Sequence, residues 1–134
     1  MEQDQQEIIF KLSMFEQQMQ QLQEQLQAVE ERIIDLNSLN IGLDELKESC
    51  GKEILAPVGR GMFVKAKLIS EDLIVNIGGK NLVKKNIPDA QRMIEEQIQK
   101  LEDMKKEMNE MLEKTGEEIT KTIRETGETG KEKQ

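Results

Sequence analysis

The chain has 134 residues, 34% of them charged and 36% hydrophobic, with a net charge of −8. Three Phe and no Tyr or Trp leave little to fill one thick core, and the lack of His excludes imidazole metal sites and His-based acid–base chemistry. The single cysteine, Cys50, permits neither an internal disulfide nor a thiolate zinc cluster. No apolar run approaches a membrane span, and Met1-Glu2-Gln3-Asp4 lacks the character of a signal peptide, so a soluble, cytoplasmic chain is expected. The acidity argues against general nucleic-acid binding.

Charge divides the chain in three. Residues 1–50 carry a net −8, residues 51–88 a net +4 and residues 89–134 a net −4. Both prolines, Pro57 and Pro88, fall in the basic middle segment, as do Gly59, Gly61, Gly78 and Gly79.

In the first segment Ile8, Leu12, Phe15, Met19, Leu22, Leu26, Val29, Ile33 and Leu36 recur alternately four and three apart, with Gln and Glu as filler. This is a heptad seam on strong helix formers. It predicts a helix over 5–48, roughly 65 Å long, weakening through Leu43 and Leu46 and stopping at Ser49-Cys50-Gly51.

In the middle segment the period changes to two. Met62, Val64, Ala66 and Leu68 share one strand face, with Phe63, Lys65 and Lys67 on the other. Leu73, Val75 and Ile77 repeat the alternation and are expected to face inward. Turn signals at Gly59-Arg60-Gly61, after Ile54–Val58, and at Gly78-Gly79-Lys80-Asn81, before Leu82-Val83-Lys84, predict two consecutive β-hairpins over 49–87.

Pro88 and Asp89 suit a first helical turn. A second seam runs through Ile94, Ile98, Leu101, Met108, Leu112 and Ile119, interrupted at Lys105, Thr115 and Thr122. It predicts a helix over 88–125, fraying beyond Gly116, and a disordered tail over 126–134.

Two helices of similar length around a compact insert fold back most economically as an antiparallel coiled coil. The fold class is therefore α+β: a long coiled-coil hairpin with two β-hairpins inserted at one end. Hairpins this small are marginal alone and leave open edges, so their strands are expected to close a sheet or barrel between subunits. At the other end Ile9, Phe10 and Met14 lie off the seam, and Ile119 and Ile123 of the second helix should lie beside them. Adaptable apolar side chains on an acidic rod suit unselective binding of apolar segments.

Over residues 5–125 the chain resembles the alpha-class subunit of prefoldin, a chaperone of archaea and eukaryotes. The resemblance rests on Leu55–Leu68 and Ile74–Val83, together with the flanking heptads. A second hairpin is an alpha-class feature, since the beta class carries one. The resemblance implies two alpha and four beta subunits joined through their hairpins into a double β-barrel, with the coiled coils enclosing a cavity. It implies an ATP-independent holdase, without cofactor, metal or catalytic residues, that passes unfolded polypeptide clients to a group II chaperonin. Client-binding residues at the distal tip would be Ile8, Ile9, Phe10, Met14, Phe15, Ile119 and Ile123. Assembly through the hairpins would use Val58, Met62, Val64, Ala66, Leu68, Leu73, Val75, Ile77 and Leu82.

Plainer readings compete. Phe10 and Met14 are client contacts or scattered surface residues. Met93, Met104 and Met111 read as packing filler. Gly78-Gly79-Lys80 lacks the spacing of a phosphate loop, and Cys50 lacks a thiolate-stabilising neighbour. A structural adaptor docking one defined partner is the alternative function. An enzyme is a distant third.

Overall fold

A computed structural model describes the backbone of residues 2–132 and the side chains of residues 4–125. In chain order it comprises helix α1 (Glu2–Leu46), strands β1 (Glu53–Gly59), β2 (Met62–Lys67), β3 (Leu73–Gly78) and β4 (Asn81–Lys85), and helix α2 (Ile87–Glu132). The chain divides into two units, one of Met1–Ile33 with Lys100–Gln134 and one of Ile34–Gln99.

Both helices follow their seams. In α1 every position from Ile8 to Leu36 in the predicted series is half-buried or buried, and the intervening residues, apart from Glu30, are exposed. In α2 the covered positions include the three interruptions: Lys105 and Thr115 are half-buried and Thr122 is 8% exposed. The Thr115 and Thr122 hydroxyls donate to the carbonyls of Met111 and Glu118, each at 2.8 Å. Such back-bonding removes the need for a polar partner across the seam. Lys105 brings Nζ to 3.7 Å from a carboxylate oxygen of Glu30 on α1.

The helix ends differ from expectation. Helix α1 stops at Leu46, where the amides of Lys47 and Ser49 donate to the carbonyls of Asp44 and Leu46 and Glu48 takes a left-handed φ of 61°. Helix α2 begins one residue before Pro88, capped by Asn86, whose Oδ1 accepts from the Asp89 amide at 2.8 Å. At its other end α2 does not fray at Gly116. It continues to Glu132; residues 133–134 of the expected tail and the side chains beyond 125 lie outside the description. One glycine costs about 1 kcal/mol, whereas each added residue of an established helix gains a hydrogen bond.

The hairpins are two separate antiparallel two-stranded sheets, β1–β2 and β3–β4. Both reverse through residues with positive φ, Arg60 (49°) with Gly61 (76°) and Gly79 (58°) with Lys80 (65°). That geometry matches the right-handed strand twist, and glycine adopts it without a Cβ clash. A bulge precedes each turn, between Pro57 and Gly59 and between Asn76 and Gly78.

In the first unit Val29 and Ile33 are buried, and each such side chain contributes about 1.5–3 kcal/mol. In the second unit Leu43, Ile87, Ala90 and Ile94 form the core, with Leu36, Leu46, Leu73 and Ile98 packed against it. Leu73 thereby ties the second hairpin to the helices. The linker between the hairpins is tied to the segment after α1 by polar contacts: the Glu48 amide donates to the Glu71 carboxylate, and Cys50 Sγ to the Ile69 carbonyl at 3.5 Å.

Candidate functional site

In the first unit the starting turns of α1 meet the late turns of α2. Heptad spacing directs Ile8, Phe15 and Ile119 into the seam, where they are half-buried. Ile9 and Phe10 follow Ile8 on turns that α2 does not cover, and both are 66% exposed; Met14, one turn beyond Phe10, is 45% exposed. Ile123 on α2 is 55% exposed. The predicted cluster thus separates into three seam residues and four on the surface. An open cleft of about 490 Å³ lies here, with Phe10, Met14, Phe15 and Thr122 among its walls. Lys11, Lys121, Glu118 and Glu125 also line it, so charges of both signs frame an apolar patch. An apolar patch framed by both signs of charge offers no selection by charge.

In the second unit the register defines two faces on each hairpin. On the first, Ile54 pairs with Ala66 and Ala56 with Val64 on one face, while Leu55 with Lys65 and Pro57 with Phe63 take the other. On the second, Leu73 pairs with Lys85 and Val75 with Val83 on the face toward the helices. Ile74 with Lys84 and Asn76 with Leu82 face away. Leu82 therefore stands opposite Leu73 and Val75, and Val83 occupies the inner place. Ile77, expected to face inward, is exposed beside the bulge. Val58, Met62 and Val64 are exposed, and Ala66 and Leu68 are half-buried.

Several further apolar residues of this surface were not among the expected assembly residues. Leu55, Phe63 and Ile74 are exposed, and Ile69, in the linker between the hairpins, is 90% exposed. Leu55 and Ile74 carried a signal in their strand runs, because a run of adjacent apolar residues marks a strand with two apolar faces. Ile69 is a lone residue beside a polar turn and carried none.

Two long heptad-patterned helices with two small antiparallel β-hairpins between them define a coiled-coil protein of the α+β class. The Prefoldin family model, described as prefoldin subunit, matches residues 15–132, and the chain belongs to the prefoldin family. It is similar to prefoldin subunit alpha of Methanobrevibacter smithii, 31% identical over 96 residues covering 71% of this chain and 66% of that protein. Prefoldin subunit alpha of Methanosphaera stadtmanae is 24% identical over 66% of this chain and 64% of its own length. The chain thus spans a little under two thirds of these two curated relatives. The fold matches a chain of the filamentous PFD of Methanocaldococcus jannaschii, solved by cryo-EM, with a TM-score of 0.75 and 22% identity over 86% of this chain and 97% of that one.

Proposed function

We propose that the chain is an alpha-class subunit of an ATP-independent chaperone that holds unfolded polypeptides at the free ends of its coiled coil. Its hairpins join it to beta-class subunits, two alpha to four beta, through an inter-subunit β-barrel. Held clients pass to a group II chaperonin in the cytoplasm, and no catalysis is assigned to the chain. Family membership supports the class, and the lone exposed thiol of Cys50 accords with a reducing compartment.

The observation that carries the reading is the group of Ile9, Phe10, Met14 and Ile123, exposed beside an open cleft on an otherwise charged helix pair. Large exposed apolar side chains are costly to keep on a soluble surface unless something binds them. The test uses the complex purified with its companion subunits. Phe10→Ser with Met14→Ser is expected to reduce suppression of aggregation of a denatured client several-fold at unchanged native mass. Undiminished suppression by that variant removes these residues from the client surface.

A further inference from the structure

In the second unit a groove of about 300 Å³ lies between the two helices and the inner face of the second hairpin. Its floor is the core itself, Leu43, Ala90 and Ile94, and its lips are Leu39, 51% exposed, and Ile74, 72% exposed. Among the described residues that line it, Lys85 alone carries a charge. Strand alternation puts it there: Lys85 pairs with Leu73 across the ladder and shares the face that Leu73 and Val75 turn to the helices. Lys84, on the opposite face, meets the Asp72 carboxylate at 3.6 Å. Lys85 is half-buried and pairs with no carboxylate among the described residues; its Nζ donates to Met93 Sδ at 2.8 Å. A thioether is a weak acceptor and brings no charge to balance an ammonium. A carboxylate at that point would make a shorter and stronger bond.

We propose, resting on the hairpin assembly put forward above, that this groove seats a segment of a companion subunit in which an apolar side chain stands beside an Asp or Glu. The apolar side chain enters between Leu39 and Ile74, and the carboxylate takes the place of the Met93 thioether as the partner of Lys85. Continuity favours a polypeptide occupant. Ile74 lines the groove and also belongs to the exposed outward face with Leu82, so a chain lying on that face reaches the groove without a break. A volume at the low end of ligand pockets admits side chains rather than a whole element. Charge favours an acidic one. A basic or neutral segment would cover Lys85 and leave its ammonium unpaired, a penalty that rejects such partners. Lys85 therefore selects the partner, while the apolar floor supplies the contact area.

The test uses the complex purified with its companion subunits, read by native mass spectrometry over a dilution series. Lys85→Glu is expected to weaken association about tenfold or more and Lys85→Arg to preserve it. Lys85→Gln removes the charge without reversing it and is expected to make association less sensitive to salt. Lys85→Glu that associates as tightly as the wild type overturns the proposal. So does an unaltered salt dependence in Lys85→Gln, which decides the matter if Lys85→Glu loses helix content. Leu82→Ser, outside the groove, separates this site from the assembly as a whole. If Leu82→Ser weakens association and Lys85→Glu does not, assembly through the hairpins stands and the groove falls. If neither weakens it, or the chain purifies without a companion, the hairpin assembly falls and the groove with it. Self-association dispersed by Lys85→Glu would put a second copy in the groove, and a small carboxylate adduct lost in Lys85→Gln a small ligand; either overturns the proposal.

Discussion

Ile33 and Ile34 are adjacent and chemically identical, yet Ile33 is 7% exposed and Ile34 is 62% exposed. The hundred-degree step between helical neighbours alone separates them. Ile33→Ala is expected to cost about 2–4 kcal/mol, mostly through the cavity it leaves, and Ile34→Ala less than about 0.5 kcal/mol. Thermal unfolding of the two variants checks this. Asp44 offers a second residue-scale prediction. The hydrogen bond from Gln91, followed by that from Lys47, holds its carboxyl below the ordinary value of 3.8. A depressed carboxyl contributes stability that is fully present above the unfolded-state pKa and lost as pH falls through the lower folded-state value. The thermal midpoint of the wild type should therefore fall more steeply than that of Asp44→Asn as pH drops below about 4. Parallel acid limbs would remove Asp44 from the account.

At the scale of elements the hairpins depend on their turns. Lys80 holds a φ of 65°, which costs an L-residue roughly 1 kcal/mol, whereas Gly79 holds 58° without that penalty. Lys80→Gly is expected to raise stability slightly and Gly79→Val to lower it by about 1–2 kcal/mol, measured by denaturant titration. The helices show how far a period carries. All nine places of the α1 seam from Ile8 to Leu36 were legible as helix and as the covered face, and so were the apolar places of α2. Lys105, Thr115 and Thr122 were legible only as interruptions. They are covered all the same, because the rigid helix carries every seam position to the partner whatever residue stands there. The cap at Asn86 was missed because Pro88 and Asp89 gave a stronger starting signal one turn later.

For the whole molecule, the two hairpins carry exposed strand faces and unpaired edges, a surface suited to association rather than to solvent. The register divides that surface into residues that hold the chain together and residues free to meet a partner. Under the proposed function Ile74→Ser with Leu82→Ser should lower the native mass of the purified complex while helix content is kept. Leu73→Ala should instead lower the thermal stability of the chain itself, because Leu73 packs on the Leu43–Ile87–Ile94 core. Native mass spectrometry with circular dichroism separates the outcomes, and an intact complex with the outward-facing pair replaced would relocate the assembly surface.

By itself the sequence determined the elements and their directions: two helices from an alternating four-and-three spacing, two hairpins from a period of two with glycine turns, and off-seam Phe10 and Met14 on a free face. These are local properties, set by backbone geometry within a few residues. Only the tertiary structure decided what stands opposite what. Gln91 meets Asp44 and Asn40 across separations of 47 and 51 residues, and Leu82 turns from the face that Leu73 and Val75 share. A periodic pattern says which way a side chain points but is nearly unchanged by a slip of one repeat. The partner it reaches is set by contacts between residues far apart in the chain, which no local spacing records.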